Sequence, residues 1–137
     1  MPRLEYFVVS ESISIDQNSN RVSLFNVFEE VTPTKEFPIV IPQLVASSTW
    51  NTEPEDKEKD YQVILRFEVP GEEKNREFPL NIPMTAPRVR CVHTIAGLKA
   101  VEAGRIVCKI FLNGDYVASH TITVHEPLDS AIETNPN

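Results

Sequence analysis

Apolar residues fall on every second position along most of the chain, the pattern of half-buried strands rather than helices. Between residues 4 and 15, Tyr6 and Val8 and then Ile13 and Ile15 hold alternate positions. The parity breaks near Ser10-Glu11, where a bulge or bend is expected. Gln17-Asn18-Ser19-Asn20 has turn chemistry, because Asn tolerates left-handed backbone and bonds its own chain. Val22, Leu24, Phe25 and Phe28 then lead through to Val31, so the two segments are expected to form a hairpin.

The alternation continues in short runs. Glu36 to Pro42 carries two prolines, which donate no amide proton and so place it at a sheet edge or in an extended connection. Leu44, Ala46, Ser48 and Trp50 share one face of the next strand. Thr52 to Lys59 is a charged loop. Tyr61, Val63, Leu65, Phe67 and Val69 alternate with polar residues until the turn signal Pro70-Gly71. Arg76 to Pro83 is a second Pro-flanked strand, and Val89, Cys91, His93 and Ile95 line one face of the next. Ala96 to Glu102 is the one helical candidate. Ile106, Cys108 and Ile110 ascend to Asn113-Gly114-Asp115, a strong type I′ hairpin signal. Tyr116, Ala118, His120, Ile122 and Val124 return on a single parity.

About 7–9 short strands at intervals of roughly ten residues indicate an all-β fold, an antiparallel β-sandwich of immunoglobulin-like or C2-like type. The βαβ crossovers of doubly wound nucleotide-binding folds are missing. At 137 residues the chain suits a single domain, expected over 1–125, with an acidic tail over 126–137 expected to fray. The eleven prolines and four glycines agree with the absence of long helices.

Charge narrows the partners. Thirteen Lys and Arg against twenty Asp and Glu give a net charge of −7, which repels phosphate backbones and anionic lipid. Neither nucleic acid nor membrane is expected as a partner. The first residues lack the basic segment and long apolar run of a secretory leader, so no targeting signal is expected; no apolar run reaches membrane length, and two cysteines make no disulfide framework. The expected location is the cytoplasm, with reduced thiols, although a Cys91–Cys108 bridge stays open.

Candidate chemistry comes in two sets. Alternation turns Cys91, His93, Cys108 and His120 inward, and two thiolates with two imidazoles would suit tetrahedral zinc. Their spacing is poor, and a buried free Cys with a hydrogen-bonded His is the plainer reading. Glu53, Glu55, Asp56 and Asp60 could offer oxygens to calcium, yet Lys57 and Lys59 are interspersed, as in a solvated loop. Asp16 to Asn20 begins like a calcium loop, but Arg21 replaces the required glycine and Val27 the bidentate acid. Nucleophile, metalloprotease and phosphate-loop motifs are all missing. No cofactor and no catalysis are expected.

Lys35-Glu36-Phe37-Pro38-Ile39-Val40-Ile41-Pro42 is echoed by Arg76-Glu77-Phe78-Pro79-Leu80-Asn81-Ile82-Pro83. The echo is either a duplicated recognition edge or two edge strands that each use proline against unwanted pairing. On Tyr6-Phe7-Val8-Val9, Leu24 to Phe28, Phe37-Pro38, Leu44 to Trp50 and the run from Ala103-Gly104 through Asn113-Gly114-Asp115 to Ala118, the chain resembles, over residues 4–125, a family of short bacterial β-sandwich proteins of unknown function. That resemblance implies a bacterial or phage origin and brings no functional residue with it.

The function expected is a non-catalytic protein-binding or assembly module working through edge strands and loops. Its candidate contacts are Phe37, Ile39, Phe78 and Leu80 on the Phe-Pro edges, and Val107, Phe111 and Val117 on the final hairpin. Val107 and Phe111 sit on the parity opposite to Ile106, Cys108 and Ile110. Apolar residues on both faces imply either a covered outer surface, hence a homodimer, or a small satellite cluster. The other classes are a calcium- or small-ligand-binding sandwich using loop 52–60 and an enzyme of unidentified class.

Overall fold

The computed structural model describes residues 1–128. Nine strands form two sheets among them: β1 (Arg3–Ile15), β2 (Val22–Val27), β3 (Glu30–Val31), β4 (Ile39–Asn51), β5 (Gln62–Glu68), β6 (Arg76–Asn81), β7 (Arg88–Ala100), β8 (Gly104–Leu112) and β9 (Asp115–Val124). One sheet has the order β2-β1-β4-β7 and the other β3-β9-β8-β5-β6. All neighbours are antiparallel except β3 and β9, which run parallel. This is the β-sandwich that the alternation calls for. The frayed tail expected over 126–137 falls outside the described residues from 129 onward.

Alternate parity fills the layer between the sheets. Val63, Leu65 and Phe67 of β5, Ile106, Cys108 and Ile110 of β8 and Ile122 of β9 face Val9, Leu44, Trp50 and Ile95, all at most 2% exposed. Burying each large apolar side chain contributes about 1.5–3 kcal/mol. Trp50 also needs a partner for its indole N–H, which donates to Ser48 Oγ at 3.0 Å.

Two corners close the sandwich. Where β1 approaches β9, His120 reaches between the sheets. The Val9 amide donates to its Nδ1 at 3.4 Å and its Nε2 lies 2.5 Å from the Phe28 carbonyl oxygen. At the opposite corner Arg76 of β6 donates to the Gly97 carbonyl of β7 at 2.9 Å. Phe78 lies against His93 there, with ring centroids 4.9 Å apart.

The expected bend at Ser10-Glu11 organises the rest. Up to Ser10, β1 pairs with β4, from Arg3↔Asn51 to Ser10↔Val45; beyond it, β1 pairs only with β2. Rows advance about 3.3 Å per residue, so a straight hairpin would carry Asn20 roughly 35 Å from the row that holds Arg90. Instead Arg90 donates to Asn20 Oδ1 and Asn20 O at 3.3 and 3.2 Å. The hairpin therefore folds back over the outer face of its own sheet. Val45, Ser47 and Thr49 on that face are consequently at most 3% exposed.

Three expectations need correction. Ala96 to Ala100 is not helical: it continues β7, pairs with Ile39 to Gln43, and passes through Gly97 at φ +76°. The segment leading to Val31 is broken, because after Phe28 the chain crosses to the other sheet and lays β3 along β9. Tyr116 does not face inward, since a register shift between Ile110 and Phe111 pairs it with Phe111 on the outer face, 57% exposed.

Candidate functional site

Because β1 leaves at Ser10, the first half of β4 loses its neighbour on that side. Ile39 to Leu44 pairs with β7 along one edge, and no strand among the described residues pairs along the other. Gln43 spans the start of the gap, its Nε2 donating to the Glu11 carbonyl at 2.9 Å. Beyond that bridge lies a cleft of about 820 Å³. Phe28, Val31 and Pro33 form one wall, Pro38, Ile39 and Ile41 the other, with Glu11, Lys35 and Glu36 at the rim. Leu128 donates its amide to the Pro33 carbonyl at 3.2 Å and shares a groove with Thr34 to Phe37 beside it.

The two Phe-Pro edges are not equivalent. Ile39 lines the cleft, and Phe37 is half-buried in the neighbouring groove. The second copy lies on β6, an outermost strand paired only with β5. There Phe78 and Leu80 turn inward opposite Leu65 and Val63 and seal the core, with Phe78 packed edge-on to Phe67 at 6.1 Å. The cleft walls Phe28, Val31 and Pro33 are not singled out by the sequence. The one signal for them there is the parity break at Ser10-Glu11, which marks where the chain would open.

The final hairpin's outer face is polar and ion-paired. Lys109 meets Glu68 at 2.9 Å and Arg66 meets Glu77 at 2.6 Å. Phe111 is covered from within the chain: the Arg66 guanidinium lies 4.5 Å above its ring and Tyr116 stands edge-on at 5.9 Å. Val107, four residues back along β8, is half-buried, and Val117 is 37% exposed. Phe111, Arg66 and Tyr116 thus stack together on this outer face.

Neither candidate metal set converges. Cys91 and His93 are on β7 in one sheet, Cys108 and His120 on β8 and β9 in the other. Both ring nitrogens of His120 are engaged, and Cys91 and Cys108 are free thiols. Burial pushes both thiols up in pKa, partly offset at Cys91 by a hydrogen bond with Ser48. Glu53, Glu55 and Asp60 are exposed, while Asp56 is fully buried and caps the 3₁₀ turn Pro54–Glu58. Its oxygens accept from the Glu53 amide at 2.8 Å and the Tyr61 hydroxyl at 2.6 Å, and meet the Met1 amino group at 3.0 Å. Burial raises the Asp56 pKa, but these three donors outweigh it and hold the carboxyl at about 2. Asp16 takes the Asn18 and Ser19 amides at 2.8 Å each, an Asx-type turn. Among the described residues no three His, Cys, Asp or Glu side chains are grouped to hold a metal ion. No helix there is long and apolar enough to cross a membrane.

No curated protein matches the sequence. Among solved structures, the Pseudomonas fluorescens alkylpurine DNA glycosylase AlkC, bound to DNA containing an abasic site analog, is similar at TM-score 0.53 and 10% identity. The match covers 90% of this chain and 30% of that one, so the chain spans about a third of its length. An immunoglobulin-like protein from Pseudomonas aeruginosa matches at TM-score 0.41 and 12% identity, over 91% of this chain and 97% of the other. At such identities the glycosylase likeness concerns fold alone. The family described as Family of unknown function (DUF6941) matches residues 5–125, nearly the whole sandwich, and the chain belongs to it.

Proposed function

We propose that the protein is a non-catalytic binding module that takes up an extended peptide segment of a protein partner along the open edge of β4. The observation that carries this reading is the stretch Ile39 to Leu44, whose outer edge no strand among the described residues pairs, beside a largely apolar cleft. A strand laid there would find main-chain donors and acceptors, and the cleft would take every second side chain. Pro42 withholds one donor, so pairing is interrupted and the cleft walls supply selectivity. Walls that are mostly apolar, with Glu11, Lys35 and Glu36 at the rim, suit the capture of an apolar extended segment.

Selection from a displayed peptide library tests this. Extended sequences with alternating apolar residues should emerge, bind at about micromolar Kd, and slow hydrogen exchange of the amides of Ile39 to Gln43. Ile39→Asp, which puts a charge in the cleft wall, should weaken binding at least about tenfold, the equivalent of roughly 1.4 kcal/mol. Selected peptides that protect amides elsewhere would refute the site. Sedimentation at tens of micromolar tells whether a second copy is itself the occupant.

A further inference from the structure

The hairpin of residues 10–27 differs from the rest of the molecule in how it is held. None of its apolar residues belongs to the core or to the side chains packed against it; Ile13, Val22 and Leu24 are half-buried outside that cluster. Beneath it, beside the buried Val45, lies a polar seam. Ser47 Oγ, Thr49 Oγ1 and Arg90 Nε are buried there and find no hydrogen-bond partner among the described residues. Unpaired buried groups weaken the closed arrangement, because opening would return them to water. Among the described residues the far end is hydrogen-bonded to the sandwich by Arg90, through its two bonds to Asn20. The near end is clamped where Phe28 N donates to Val9 O at 3.0 Å, His120 bridges the same two residues, and Gln43 Nε2 donates to the Glu11 carbonyl at 2.9 Å.

We propose that the hairpin is a lid, hinged at Val9-Ser10 and Phe28 and latched by Arg90 on Asn20, that opens as a unit while the sandwich stays folded. A segment with few core contacts, a strong hinge and a single latch meets the conditions for opening below the cost of global unfolding. Glu11 and Ser12 at its base line the cleft, so lid movement changes the width of the peptide site. That last link rests on the peptide-binding reading; the lid itself does not.

Thiol labelling tests the lid inside one molecule. In a Cys91→Ser background, Ser47→Cys puts a thiol under the lid, while Cys108, fully buried in the core, reports global unfolding. With a small aromatic disulfide reagent, the thiol at 47 should react at least about tenfold faster than Cys108, as sub-global opening requires. Arg90→Ala should raise that ratio about tenfold further, the usual effect of losing hydrogen bonds from a charged group. Equal rates at the two thiols, or a ratio unmoved by Arg90→Ala, overturn the proposal. So does instantaneous labelling at 47, which would mean that the lid does not close. If Ser47→Cys misfolds, hydrogen exchange in the unaltered chain separates the same outcomes: the amides of Ser23 to Val27 should exchange faster than those of Ile106 to Ile110, and equal rates overturn the lid. Failure to find any peptide ligand would count against the cleft reading while leaving the labelling ratio intact.

Discussion

Asp56 carries the clearest single-residue chemistry in the molecule. Its carboxyl is fully buried, and its pKa of about 2 lies below the ordinary 3.8 because three donors outweigh the cost of burial. The Tyr61 hydroxyl, donating to that carboxylate from a buried site, is pushed up from 10 to about 12. The signs follow from linkage. A lowered acid contributes stability above its unfolded pKa and loses it as pH falls, here from about 4 to 2. A raised phenol contributes below its unfolded pKa and loses it as pH rises from 10 to about 12. Urea midpoints taken across pH should therefore fall at both extremes. Asp56→Asn should flatten the acid limb, whereas Tyr61→Phe should remove the alkaline limb and retain most of the acid one, since the Glu53 amide and Met1 amino group remain. An unchanged acid limb in Asp56→Asn would show that Asp56 does not govern it. The sequence presented Asp56 as one acid among several in a charged loop. Nothing local separated it from Glu55, because its partners Met1 and Tyr61 are assembled by the fold.

Elements were legible where one periodicity ran unopposed and illegible where the backbone changed hand. Ile106 to Ile110 and Val63 to Phe67 could be placed on their faces from parity alone, and the Asn113-Gly114 turn from its chemistry. Ala96 to Glu102 could not: Gly97 at φ +76° lets the β4–β7 ribbon switch faces without losing register, so Ile95 and Leu98 both point into the core. That switch breaks the period of two and imitates a helix. The glycines also differ in what surrounds them. A Cβ on Gly114 would meet nothing within 4 Å, whereas one on Gly104 would lie 2.8 Å from Pro70 Cγ, where the 101–104 turn docks on the Pro70-Gly71 turn. Both have positive φ. Gly114→Ala should cost about 1 kcal/mol, the conformational penalty alone. Gly104→Ala should cost about 2–4 kcal/mol, because overpacking against a rigid ring adds to it. Equal urea midpoints for the two variants would show that the turns do not touch as described.

At the scale of the whole molecule, two stacked sheets must be kept in one relative position, and the two corners do this by different means. The Arg76 corner is exposed, so water can replace the bond to the Gly97 carbonyl. The His120 corner is half-buried and serves two main-chain groups that the strand ladders leave over. The Val9 amide is free because β1 is changing partners there, and the Phe28 carbonyl because the chain is crossing between sheets. A ring that accepts at Nδ1 and donates at Nε2 satisfies both; no aliphatic or aromatic replacement can. Parity turned His120 inward on the sequence, but its partners lie 111 and 92 residues away and carry no side-chain signature. His120→Phe keeps the bulk and leaves two half-buried main-chain groups unpaired, for an expected loss of about 2–4 kcal/mol. Arg76→Ala should cost about 1 kcal/mol or less, as a surface substitution. Both should shift the urea midpoint at constant slope, since neither alters the surface exposed on unfolding. If the two losses come out equal, the sheets are held together by core packing alone and the histidine corner is incidental. A larger loss at His120 would instead identify the hinge of the lid as the point where the two layers are joined.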